Sequence, residues 1–139
     1  MNLVIDTNIF IASILSKDGI NRQVIRRCLT GEFTPLMGES LYQEYSDLLN
    51  RETVFDKCKI TYNDRKDLLN AFLNSCHWIK VHYAWRPNLK DEADNHIIEL
   101  AVAGAAPIII TNNIKDFKNQ ELFFPFIKIN TPKQFMTEN

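Results

Sequence analysis

The chain predicts an α/β domain of three layers, α/β/α, with a central parallel sheet of four or five strands. Three observations predict it. Two short runs, Leu3-Val4-Ile5 and Ile108-Ile109-Ile110, are apolar without interruption, as strands are when both faces of a sheet are covered. Helical periodicity fills the intervals between strand-like segments, the alternation that builds parallel sheets. No repeat, low-complexity tract or Gly/Ser-rich linker interrupts the 139 residues, so a single domain over 1–139 is expected.

The elements follow in order. Leu3–Ile5 is the first strand and ends in Asp6-Thr7-Asn8. Ile9 to Leu15 reads as a helix. A second helix over Ile20–Leu29 puts Val24, Ile25, Cys28 and Leu29 on one face, and Gly31 stops it. Phe33–Met37 is the second strand, which Pro35 marks as an edge or a broken one. Ser40 is placed to cap a helix to Leu49, with Leu41, Tyr45, Leu48 and Leu49 inward. Asn63 is placed to cap the next, to Ser75, with Leu68, Leu69, Phe72 and Leu73 inward. Trp78–Tyr83 reads as the third strand, and Arg86-Pro87-Asn88 as a loop. A helix over Asp91–Ala103 ends at Gly104. Ile108–Ile110 is the fourth strand, Phe126–Ile129 the last, and Pro132 opens a C-terminal helix.

Composition sets the class. Hydrophobic residues make up 45% and charged residues 24%, which is ordinary for a globular chain and too apolar for a disordered one. The net charge of −1 lacks the basic footprint of many nucleic-acid binders. An acid cluster in one pocket would cancel basic residues elsewhere, so the sum hides the distribution. Cys28, Cys58 and Cys76 form no C-x-x-C pair and read as small core residues in a reducing compartment. The N-terminus has no basic segment, and no apolar run is long enough to span a bilayer. A cytoplasmic protein without membrane contact is expected.

The acids carry the functional information. Asp6 follows the first buried strand and Asp116 the fourth. Asp91 and Asp94 stand three residues apart at the front of a helix and share a face, with Asn95 beside them. Glu44 lies on the helix after the second strand. Any one of these has an ordinary explanation as a cap or first-turn residue. Jointly, four segments bring acids to the carboxyl end of one sheet, where α/β proteins bind ligands. Uncompensated carboxylates repel one another, and burial adds to the cost. A hard divalent cation removes that conflict, and Mg²⁺ prefers such oxygen ligands.

Four motifs, in order, resemble those of the PIN-domain family. They are Val4-Ile5-Asp6-Thr7-Asn8-Ile9-Phe10, Ser40-Leu41-Tyr42-Gln43-Glu44-Tyr45, Asp91-Glu92-Ala93-Asp94-Asn95 and Thr111-Asn112-Asn113-Ile114-Lys115-Asp116-Phe117. Within the family the chain most resembles bacterial toxin components of toxin–antitoxin pairs, VapC-like in a broad sense. The resemblance implies a Mg²⁺- or Mn²⁺-dependent ribonuclease. Its acidic site would be Asp6, Glu44, Asp94 and Asp116, with the metal on Asp6, Asp94 and Asp116. Thr111 matches a hydroxyl near the metal, and Asn8 a side chain that steadies the first motif. Asn95 and Asn113 stand where many relatives carry acids. Asp116 is placed to replace the charge missing at Asn113, and Asp91 either substitutes for Asn95 or simply caps the helix; fewer charges imply weaker metal binding and one ion in place of two. The resemblance also implies a small antitoxin partner, with an Arg or Lys reaching the acids, and a homodimer.

An RNA substrate needs positive charge near this pocket. Arg22, Arg26, Arg27, Arg51, Lys57, Lys59 and Arg86 are the candidates, Arg22, Arg26 and Arg86 foremost, with Trp85 able to stack on a base. His96 lies near the acids but reads as structural. A haloacid-dehalogenase-like phosphatase needs an acid two residues after the first Asp, and Asn8 occupies that position. A phospho-receiver domain expects an acidic pair that is missing. The alternative is a PIN-like module with a decayed site that binds RNA or a protein without cleavage.

Overall fold

The computed structural model describes residues 1–16, 19–81, 95–118 and 124–139. Its central strand is β1 (Asn2–Ile5), with Leu3, Val4 and Ile5 all buried. The chain continues through α1 (Thr7–Leu15), α2 (Ile20–Leu29), β2 (Thr34–Met37) and α3 (Glu39–Leu49). A 3-10 turn (Glu52–Phe55), α4 (Tyr62–Ser75) and β3 (His77–Trp78) follow. Then come α5 (Asn95–Ala103), β4 (Ile108–Ile110), α6 (Ile114–Lys118), β5 (Lys128–Asn130) and α7 (Pro132–Glu138).

The five strands form a parallel sheet in the order β3-β2-β1-β4-β5. Helices flank this sheet in a three-layer α/β/α fold, as the alternation predicts. The chain leaves β1 toward β2 and β3, then returns to place β4 on the other side of β1. The carboxyl ends of β1 and β4 therefore border the point where strand order reverses, the crevice in which such folds bind ligands. Helix α5 lies across β1, β2 and β4, and α1 packs on α2 and α3. Phe10 of α1 meets Tyr45 at 5.5 Å and Phe72 at 5.2 Å between ring centres, which knits α1, α3 and α4 into one core.

Several expectations are corrected. Pro35 marks neither an edge nor a break: β2 runs through it and pairs with β1 on one side and β3 on the other. The β2–β3 register begins only at Leu36, so the proline needs no partner for a missing N–H on that side. Edge positions belong to β3 and β5. Leu29 and Leu68, assigned to inward faces, are both 40% exposed. Thr61, not Asn63, caps α4 by accepting from the Asp64 N–H at 3.1 Å. Glycine Gly38 precedes α3, whose first turn contains Ser40, and no side chain caps that helix. The third strand is His77–Trp78 and does not include residues 79–81, while His82 and Tyr83 of the expected strand lie outside the described residues; the last strand shifts to Lys128–Asn130. Positions Asp91 to Asp94 of the expected Asp91–Ala103 helix lie outside the described residues.

Arg65 is the least expected core residue, at 1% exposed. Its guanidinium donates to the Leu49 and Ile60 carbonyls at 3.1 and 3.3 Å and pairs with Glu52 at 2.6 Å. It also lies 4.4 Å from the Phe55 ring centre. A planar fork with several donors can satisfy carbonyls and a carboxylate at once.

Two helices end in the same motif with different residues. After α2, Gly31 takes φ +81°, and the Glu32 N–H reaches the Arg27 carbonyl at 3.0 Å. After α5 the left-handed position falls on Ala105, φ +53°, while Ala106 N–H bonds the Ala101 carbonyl at 2.9 Å. The preceding Gly104 is needed for another reason: a Cβ there would collide with the Leu36 side chain on β2. Ala105→Gly should therefore stabilise the protein by about 1 kcal/mol, because it removes a left-handed alanine. Gly104→Ala should destabilise it. Urea unfolding of the two variants checks the opposite signs.

Candidate active site

Asp6 sits at the N-cap position of α1, yet its side chain makes no cap hydrogen bond. The carboxylate turns instead to the switch point. Its Oδ2 accepts from the Thr111 hydroxyl at 2.7 Å and from the Asn8 amide at 3.2 Å. Thr111 follows β4 directly, so this bond joins the carboxyl ends of the two central strands. The Asp6 N–H donates to the Ile110 carbonyl at 2.9 Å and extends the β1–β4 ladder to the acid itself. Thr111 Oγ1 also accepts from the Asn113 N–H at 3.0 Å, which fixes the direction in which the hydroxyl donates.

Glu44 reaches the same place from α3. Its Oε1 accepts from the Thr7 hydroxyl, and its Oε2 lies 3.2 Å from His96 Nε2 in an ion-pair contact. The next residue, Tyr45, is fully buried and donates its hydroxyl to the Ile5 carbonyl at 2.8 Å. This ties α3 to the end of β1. Asp6, Thr7, Asn8, Glu44 and Asn113 line one open cleft of about 460 Å³, whose other wall is Ile11, Ala12, Leu15, Leu48 and Val54.

The two acids are tuned in opposite directions. Burial raises the Asp6 carboxyl above its usual range; the Thr111 bond opposes this and the Glu44 charge adds to it. Burial would also raise Glu44, but the His96 and Thr7 contacts outweigh it and hold Glu44 below its usual range.

Several predicted site residues thus converge: Asp6, Asn8, Glu44, Thr111 and Asn113. Asp91, Asp94, Trp85 and Arg86 lie outside the described residues, as do the side chains of Asn95 and Asp116. The described residues alone assemble no group of three or more acids, histidines or cysteines around one ion position. The donor chemistry nevertheless fits a hard cation. Asp6 and Glu44 offer carboxylate oxygens, and the buried Asn8 Oδ1 has no hydrogen-bond partner among the described residues.

The cations are placed unevenly. Arg22 donates to the Ser13 and Ile14 carbonyls at 2.8 and 3.4 Å, capping the end of α1. Arg27 pairs with Glu32 at 2.5 Å and bonds the Asn139 carbonyl at 3.1 Å. Arg26, Arg51, Lys57 and Lys59 are exposed. Sequence reasoning gave no role to Thr7 and read His96 as structural. The signal available for both was adjacency, Thr7 to Asp6 and His96 to Asp94-Asn95.

A parallel α/β fold with a buried acid at the switch point defines the class of protein. Residues 2–115 match the PIN domain, and the chain belongs to that family. The match includes Asp6, Glu44 and Asp94 and stops one residue before Asp116. Among solved structures, the fold is similar to that in the crystal structure of VapBC2 from Rickettsia felis bound to a DNA fragment from their promoter. That likeness has a TM-score of 0.63 at 18% identity and covers 94% of this chain and 98% of the other. No curated protein matches the sequence.

The raised Asp6 carboxyl implies a stability cost in the metal-free protein. The folded state holds the proton more tightly than the unfolded one, so stability falls as pH rises from the ordinary 3.8 through the folded value. Above that window the cost is constant. Asp6→Asn should therefore stabilise the metal-free protein at pH 7 by about 1 kcal/mol, with a smaller gain as pH falls toward 3.8. Guanidinium unfolding in EDTA at two pH values measures this; a less stable variant at pH 7 contradicts it.

Proposed function

We propose that the chain is a Mg²⁺- or Mn²⁺-dependent endoribonuclease of the cytoplasm, acting as the toxin of a toxin–antitoxin pair. The observation that carries the reading is Asp6: a buried acid at a helix start that spends its hydrogen bonds on Thr111 and Asn8 instead of a cap. Membership of the PIN family supports it. Asp6, Asp94 and Asp116 would hold the metal. A bound divalent ion supplies Lewis-acid stabilisation of a phosphate and lowers the pKa of a coordinated water.

The chain's own groups orient that centre. Thr111 and Asn8 fix the Asp6 carboxylate, and the Asn113 backbone fixes Thr111. Glu44 contributes a second negative charge from α3. Asp91 and Asn95 would support that centre from the segment around Asp94. The RNA backbone would be drawn by cations, the exposed Arg26 and Arg86 among them.

The antitoxin part of the reading has separate support. The similar structure is that of VapBC2 bound to a DNA fragment from their promoter. This chain carries an apolar cleft of about 330 Å³ lined by Phe10, Ile14, Ile25, Leu29 and Leu68, with Arg22 and Arg26. Exposed leucines beside arginines suit a partner segment that brings both apolar side chains and acids. No helix among the described residues is long and apolar enough to cross a membrane.

The test is calorimetric binding of Mn²⁺ together with cleavage of a mixed RNA pool, for wild type beside Asp6→Asn. Wild type should bind and cut. The variant should lose measurable binding and at least about 10²-fold in cleavage rate, the scale for removal of a charge-stabilising group. Wild type that binds no metal and cuts no RNA overturns the reading in favour of a non-catalytic module.

A further inference from the structure

We propose that His96 is a positioning residue that holds Glu44 in place; the proposal rests on the nuclease reading above. Both Glu44 oxygens are engaged by neighbours of the metal acids. Oε1 takes the hydroxyl of Thr7, the residue after Asp6, and Oε2 faces the Nε2 of His96, two residues after Asp94. Glu44 thus bridges the segment that follows β1 and the first turn of α5.

The bridge needs both ends. The Glu44 backbone is fixed next door by the Tyr45 hydroxyl on the Ile5 carbonyl. Its side chain has three rotatable bonds and is partly open to the cleft. With Thr7 alone, the carboxylate keeps one anchor and turns about it. His96 is 8% exposed, so its ring is held by packing and acts as a fixed post. A charged side chain supported in this way keeps its geometry, whereas an unsupported one loses a large share of its effect.

Three variants separate positioning from packing. His96→Leu fills the ring's volume but removes the contact. His96→Gln retains a donor. Glu44→Gln removes the charge on which His96 is proposed to act. The readings are Mn²⁺ affinity by calorimetry, kcat and KM on an RNA that the wild type cuts, and thermal midpoint. His96→Leu should weaken Mn²⁺ binding and lower kcat by about 10- to 100-fold each, with KM unchanged. His96→Gln should recover most of that loss. In a Glu44→Gln background, His96→Leu should change Mn²⁺ affinity by less than about twofold, because the two act as one unit.

A His96→Leu variant with wild-type kcat and Mn²⁺ affinity overturns the proposal and leaves the nuclease reading standing. Equal losses in both backgrounds, or losses that follow the thermal midpoint, overturn it as a packing effect. A wild type that neither binds Mn²⁺ nor cuts RNA removes the nuclease reading itself, and the proposal falls with it.

Discussion

The hydrogen bond from Thr111 to Asp6 is the contact on which the rest of the site depends. Its partners are 105 residues apart in sequence, and it exists only if β1 and β4 lie side by side in register. That register is set by packing. Leu3, Val4 and Ile5 pair with Ile108, Ile109 and Ile110, and all six are buried. Strands so apolar are stable only with helices on both faces. The chain obtains those faces from α5 on one hand and from the group around Phe10, Tyr45 and Phe72 on the other. A slip of one residue would separate Thr111 from Asp6 and turn core side chains out of their layers.

The same constraint explains what the sequence disclosed. Short all-apolar strands are legible because burial on both faces leaves no polar position. Asp6 and Thr111 are legible because they are the first polar residues after such strands. Glu44 required only the placement of a helix. Pro35 misled because an edge was inferred from a missing N–H, whereas the third strand begins one residue too late to need it. Leu29 and Leu68 misled because helical periodicity identifies an apolar stripe without saying whether a neighbour covers all of it. Arg65 could not be read at all. A lone arginine on a helix resembles any solvated cation until Leu49, Glu52 and Phe55 are seen around it.

The histidine illustrates a different limit. Its place near the acids along the chain left His96 a structural reading, which specified no partner. His96 meets Glu44, which lies on another helix and 52 residues away. Pairings of this kind follow from how α3 and α5 cross, which depends on side-chain packing between layers, not on periodicity within either helix.

The opposite tuning of the two carboxylates implies a division of roles. Glu44 already has the His96 ring within ion-pair distance and a hydroxyl donor, and these contacts outweigh the cost of its burial. Asp6 has neutral donors and a like charge nearby, and burial sets its balance. A buried acid in that position is underpaired by the surrounding contacts, and burial is the largest part of the deficit. An added positive charge near Asp6 would offset burial and repulsion from Glu44 together. Glu44 gains less, because its partners are already in place. Burial and contacts therefore rank the two acids: Asp6 bears the larger cost of its charge, and Glu44 is the charge held steady beside it.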